Sequence, residues 1–206
     1  MSITQFCDIR YVVRSVEKGE RTRRALLDSA IRRFSADGFQ RTSVSEVARD
    51  VGVTPAAVYA YFPSKEALFA AAVDADAEEL VTVAGNVLID HLESETLPAV
   101  ITRLADAVLA GVDRHPLALK VLSGSEPIAA DRILELPSLV RLRHLLADGI
   151  TYGQAAGQVR VDVDAETMAL GFETIVLNQL SASVQEGYSA ERWQAVIAVL
   201  EAAIRP

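Results

Sequence analysis

One cysteine, Cys7, in a chain of 206 residues excludes an internal disulfide and points to a reducing cytoplasm. Long apolar runs are missing as well. The longest stretch without an acidic or basic side chain is residues 51–64, short of the roughly 18 apolar residues that a membrane-spanning helix needs. No membrane partner is therefore expected, and the opening MSITQFCDIR has no basic start followed by the apolar run of a secretory signal. There are three histidines, no paired cysteines, no glycine-rich phosphate loop and no nucleophile elbow. These absences leave no constellation for catalysis, for a cofactor or for a metal, so the chain is expected not to be an enzyme. Alternating strand patterns are nearly absent too, since QVRVDV at 158–163 is too short and isolated to build a sheet.

What is present is an ordinary globular composition, 50% hydrophobic and 23% charged. At this length folding removes roughly 70% of the unfolded chain's surface from water, enough for one core or two modest ones. The net charge of -8 hides a division. Residues 1–66 carry eleven Lys and Arg against eight Asp and Glu, and residues 67–206 carry nine against twenty. A basic head that meets a polyanion, joined to an acidic body that does not, accounts for the division. Two differently solvated surfaces account for it equally well until a motif decides.

The helical pattern is nearly continuous. Leu27, Ala30, Ile31 and Phe34 recur at three- and four-residue steps within 20–37, and Gly38 follows where a helix stops. Ser43 with Glu46 three residues on forms a capping box before Val44, Val47, Ala48 and Val51, and Gly52 ends that second helix. Thr54 caps a third helix opening at Pro55, Phe62-Pro63 breaks it, and a long helix begins at Lys65 after Ser64. Further helices are expected from Pro98 to about Arg114, from Pro116, from Pro137 to about Gly157, from Asp164 to about Gln185, and over Ala190–Ile204 behind Ser189. Residues 123–136 are the least regular stretch. The fold class is all-α: an N-terminal extension at 1–18, a three-helix helix-turn-helix head at 19–66, and a helical body at 67–206.

The second and third helices are joined only by Val51-Gly52-Val53-Thr54, a tight helix-turn-helix connection. Val47, Val51, Val53, Val58 and Phe62 are placed to pin both helices to the first through Leu27, Ile31 and Phe34, leaving the opposite face for a major groove. Across residues 21–69 this pattern resembles the TetR family of bacterial transcriptional regulators, with Gly38, Phe39, Thr42, Ala48, Gly52, Val53, Tyr59, Tyr61, Phe62, Lys65, Glu66 and Leu68 in place. The resemblance covers about a quarter of the chain. It implies a cytoplasmic homodimer that binds a palindromic double-stranded DNA operator as a repressor, with a body that supplies the dimer interface and a pocket whose small-molecule effector releases the DNA. A DNA-bound factor whose body grips another protein, without a small-molecule effector, is the alternative.

The body offers candidates for both roles. Between Glu166 and Gln185 only Glu166 and Glu173 are charged, and apolar residues cover nearly the whole circumference, so this helix is expected to be buried on two sides. With the amphipathic last helix it gives the expected dimer interface of Met168, Phe172, Ile175, Val176, Leu180, Trp193, Ile197 and Leu200. Burial inside one subunit is the plainer reading. Arg141, His144, Asp148 and Tyr152 form a polar ridge on one helix face, either a solvated face or part of an effector site. His91, His115, Phe172 and Asn178 are further effector candidates. The low aromatic and cationic content favours a small, apolar or weakly acidic effector.

In the head, Tyr59 and Tyr61 stand two apart and point in different directions, one toward phosphate and one along the groove edge. In the family pattern Tyr59 contacts the DNA backbone and Lys65 adds its charge to a helix N-terminus to hold a phosphate. Thr42 and Ser43 are expected as further phosphate anchors. Phe62 reads as core, Tyr61 as either core or contact, and Arg21, Arg23 and Arg24 as a solvated helix start or a phosphate arm. Base reading falls to Ser45, Thr54, Pro55, Ala56 and Ala60. Because the third helix has no Arg, Asn or Gln for a bidentate base contact, Pro55 and Ala56 are expected against thymine methyls, with Arg41 or Arg49 and DNA shape supplying the rest. Ala56→Gln is expected to change operator preference in a competition among base-substituted sites. An unchanged preference would remove Ala56 from base reading.

Overall fold

Side-chain caps fix most of the helix starts. A computed structural model describes residues 3–91, 94, 95, 97–126 and 133–206. The centre of the irregular stretch, 127–132, lies outside them, and so does the side chain of Cys7. The chain divides into two compact units, Met1–Ala75 and Asp76–Pro206.

In the first unit, α1 (Ile3–Arg41) is broken at Gly38, whose φ is 80°. It starts well before the 20–37 pattern, because residues 3–18 contain neither proline nor glycine to oppose a helix. The short helices α2 (Val44–Val51) and α3 (Pro55–Tyr61) follow. The Ser43 hydroxyl accepts from the Glu46 amide at 3.2 Å while the Ser43 amide donates to Glu46 Oε2 at 2.9 Å. At the end of α2, Gly52 turns left-handed at φ 73° and donates its N–H to the Ala48 and Arg49 carbonyls. Thr54 caps α3, its hydroxyl accepting from the Ala57 amide at 3.2 Å. Leu27, Phe34, Val47, Val58 and Phe62 are buried as the spacing requires, whereas Ile31, Val51 and Val53 are half-buried. Phe69, on α4 (Lys65–His91), completes this core, with its ring 5.0 Å from that of Phe34 and edge-on to it.

The second unit takes in the rest of α4, with α5 (Leu97–Gly111), a 3-10 turn at Val112–Arg114, α6 (Pro116–Leu122), α7 (Pro137–Ala155), α8 (Ala165–Glu186) and α9 (Ala190–Ile204). No strand occurs among the described residues. The 158–163 segment is a series of bends, held where Gln154 Nε2 donates to the Arg160 and Val163 carbonyls and the Arg160 amide donates to the Ile204 carbonyl. The buried residues of α8 lie on one broad face turned to the chain's own core. Met168, Phe172, Leu180, Trp193 and Leu200 are buried together with Ala105, Ala147 and Ile150, and Ile175, Val176 and Ile197 pack half-buried against the same core. Met168, Phe172, Leu180, Trp193 and Leu200 of the expected interface are thus core side chains of the single chain, whereas Ile175, Val176 and Ile197 keep exposed surface. What α8 and α9 leave outward includes Leu170, 41% exposed, and Val199, 58% exposed.

A Cβ at Gly52 would meet nothing within 4 Å, so a side chain there is opposed only by the left-handed backbone. Gly52→Ala is expected to destabilise the protein by about 1–2 kcal/mol in urea unfolding. Gly52→Asn is expected to cost clearly less, because asparagine tolerates this conformation. Equal losses would mean that the turn is limited by space.

Candidate nucleic-acid interface

The interface is built by burying one side of α3 and leaving the other bare. Val58 and Phe62 face the core, while Thr54, Pro55, Ala56, Tyr59 and Ala60 are exposed, with Tyr59 at 50%. Ser45 on α2 is exposed beside them in sequence order. Tyr61 is at the edge of exposure, and a Cβ on Gly19 would stand 3.9 Å from its hydroxyl, so α1 passes close to the end of α3.

A polar clamp fixes α2 to α1. The Asp50 carboxylate accepts from the Ser29 hydroxyl at 2.9 Å and from Arg33 Nε and Nη2 at 2.8 and 2.7 Å. Glu46 stands 3.7 Å from the same guanidinium. The hydrogen bonds from Arg33 and then Ser29 hold the Asp50 carboxyl well below its usual range. Sequence spacing did not expose this clamp, since Arg33 and Asp50 lie on different helices.

The expected phosphate anchors stand differently. Thr42 is buried and its hydroxyl donates to the Gly38 carbonyl at 2.9 Å, which removes it from the contact surface and makes it a support for the kink. Ser43 is exposed, but its hydroxyl is engaged with Glu46. Lys65 Nζ donates to the Gln40 carbonyl at 3.3 Å and lies 4.4 Å above the centre of the Phe39 ring. Arg41 and Arg49 are exposed, the former donating Nε to the Asp37 carbonyl at 2.8 Å. Arg21 and Arg24 are exposed as well, and Arg23 lies over the Phe62 ring at 5.5 Å.

The effector candidates are not gathered at one place. Arg141, His144, Asp148 and Tyr152 all lie exposed on α7, with Arg141 paired to Glu78 at 2.7 Å, so the ridge is a solvated face. His91 ends α4 and pairs with Glu95 at 3.2 Å. Phe172 is core, and Asn178 is exposed with Nδ2 donating to the Thr174 carbonyl. His115 is buried between Asp76, 3.9 Å from Nδ1, and Glu79, 3.7 Å from Nε2. Asp76 itself accepts the Leu117 and Ala118 amides that open α6. No group of three or more His, Cys, Asp or Glu able to hold a metal occurs among the described residues.

A buried pair was overlooked. Arg143 on α7 donates Nε to Glu173 Oε2 at 2.5 Å and Nη2 to the Leu134 carbonyl. Burial raises the Glu173 carboxyl above its usual value, against the opposing pull of Arg143. The signal was the lone carboxylate in an otherwise apolar stretch of α8.

The family described as bacterial regulatory proteins, tetR family, matches residues 26–72. A nucleoid occlusion factor SlmA of Serratia proteamaculans is 32% identical over 110 residues, 52% of this chain and 54% of the relative. The chain thus spans about half the length of the nucleoid occlusion factors it matches. An uncharacterized HTH-type transcriptional regulator of Haemophilus influenzae is 29% identical over 191 residues, 84% of this chain and 88% of the other. Among solved structures, Thermus thermophilus FadR, described as a TetR-family transcriptional repressor in complex with lauroyl-CoA, has the same fold. Its TM-score is 0.65 at 21% identity, covering 88% of this chain and 94% of that one.

A carboxylate held below its ordinary value stabilises the fold above that value and loses its contribution as the pH falls toward the depressed one. The melting-temperature difference between the wild type and Asp50→Asn is therefore expected to stay constant from neutral pH down to about 5. Below the ordinary aspartate value of 3.8 it is expected to shrink. A difference that shrinks already between pH 7 and 5 would show that the clamp does not hold the charge.

Proposed function

Because the chain belongs to the TetR family of bacterial regulatory proteins through residues 26–72, we propose that it is a repressor that binds a palindromic operator as a homodimer and is released by a small-molecule effector. The observation that carries this is α3, bare on one side and buried on the other at the end of a clamped helix-turn-helix. Tyr59 and the end of Tyr61 meet phosphates, Lys65 adds charge beside them, and Ser43 lends its exposed N-cap position. Ser45, Thr54, Pro55, Ala56 and Ala60 face base edges. Leu170 and Val199 lie on the dimer face, completed by a second copy of α8 and α9.

A neighbour of the same fold described with lauroyl-CoA supports an effector in the body.

The test is a titration of the protein against the DNA flanking its own gene at two salt concentrations. Tyr59→Phe is expected to weaken specific binding roughly tenfold, the worth of one hydrogen bond to a charged group. Lys65→Ala is expected to reduce the salt slope by about 1. Binding of both variants at wild-type strength and slope would remove α3 and the start of α4 from the interface. Val199→Asp is expected to yield monomers in sedimentation and to lose operator binding, whereas a persisting dimer would move the interface elsewhere.

A further inference from the structure

An ion pair joins α7 to α8 inside largely apolar surroundings. Leu142, Leu146 and Ala147 flank Arg143, and Ala169, Phe172 and Val176 flank Glu173; Ala147, Ala169 and Phe172 are buried in the core, and Leu142, Leu146 and Val176 pack half-buried against it. The Arg143 and Glu173 side chains are 17% and 5% exposed. Each nitrogen that Arg143 turns inward has an acceptor, Glu173 Oε2 for Nε and the Leu134 carbonyl for Nη2. Glu173 Oε1 is buried and has no hydrogen-bond partner among the described residues. An ion pair in such surroundings stabilises a fold less than apolar side chains of the same volume would, and an orphaned acceptor adds to the cost. Packing alone gives no reason for either.

We propose that Glu173 Oε1 is the acceptor for the hydroxyl of a neutral, otherwise apolar small molecule bound against α7 and α8. This names the effector class and rests on the reading of the body as the effector-sensing half. The chemistry selects the class by elimination. An ionised carboxylate only accepts, so a carboxylate or phosphate ligand would set acceptor against acceptor and charge against like charge. The pair with Arg143 is already neutral, so an ammonium ligand would leave a net buried positive charge. A neutral hydroxyl supplies the missing donor, adds no charge, and leaves its carbon skeleton to the surrounding apolar side chains.

The probes are phenol, 2-naphthol, hexanol and decanol, each beside its methyl ether, which keeps the skeleton and removes the donor. Thermal shift and calorimetry on the full chain are expected to show saturable binding of at least one alcohol or phenol, with its ether at least about tenfold weaker. The double variant Arg143→Met with Glu173→Leu replaces the pair by apolar groups. It is expected to melt no lower than the wild type, to bind operator DNA normally when free of ligand, and to lose the preference for hydroxyl over ether. Ethers that bind as tightly as their alcohols would overturn the proposal, as would a double variant that keeps the preference. Binding of none of the four would also overturn it, leaving Oε1 to an ordered water. If the double variant does not fold, the alcohol and ether comparison on the wild type decides alone. Operator binding measured on the same preparations separates the two ideas. Loss of DNA binding with hydroxyl selectivity intact sinks the regulator reading only, and intact DNA binding without hydroxyl selectivity sinks this inference only.

Discussion

The placement of the exposed face of α3 depends on one carboxylate. Asp50 sits near the end of α2, where it takes a hydrogen bond from Ser29 and two from Arg33, all three from side chains of α1. A helix of eight residues has too few internal hydrogen bonds to hold its own position. The clamp sets its rotation and leaves the apolar residues Val44, Val47 and Ala48 to close against α1. Gly52 then turns the chain within two residues of Thr54, so the attitude of α3 follows from that of α2. Because the clamp is partly exposed, its worth lies in geometry more than in free energy.

The body is governed by the opposite economy. Its helices are held by apolar packing, and α8 turns one broad buried face to the chain's own core. Polar groups inside such packing stand out because each must find a partner where water is absent. Trp193 donates to Ser183, Ser181 and Gln185 donate to the Leu122 carbonyl, and Asp76 accepts two amides of α6. Among the described residues of the body, Glu173 Oε1 departs from this rule, and His115 Nε2 has no hydrogen bond but stands 3.7 Å from Glu79.

Features written within four or five residues were legible. Ser43 with Glu46, Gly52, Thr54-Pro55, Asp164 and Ser189 mark helix ends because a cap is a local bargain between a side chain and the next turn of backbone. Relations between helices were not. Met168 and Leu200 are apolar whichever surface encloses them, so their periodicity reports burial without saying whether the cover is the same subunit or another. The ridge from Arg141 to Tyr152 shares one face by spacing, yet spacing does not tell an enclosed face from a wet one. Arg33 with Asp50, and Arg143 with Glu173, join different helices through residues 17 and 30 positions apart, beyond any local pattern.

On the proposed reading of α3 as the helix that enters a groove, its alanine-rich face has consequences for how the head would discriminate. With Pro55, Ala56, Ala57 and Ala60 in place of long polar side chains, the α3 backbone is able to approach the floor of a groove more closely than an arginine-bearing helix does. Close approach favours contact with thymine methyls and makes the fit sensitive to groove width, so sequences are separated by shape as much as by hydrogen bonds. Methyl contacts are weak one by one, which on that reading shifts the burden of affinity to the phosphates and hence to the proposed contacts of Tyr59 and Tyr61. Binding of that kind is strongly salt-dependent and modest in selectivity per half-site. For a homodimer of the proposed kind, a second half-site becomes the means by which a small, weakly discriminating helix reaches useful specificity, because two modest preferences multiply when one rigid pair must satisfy both at once.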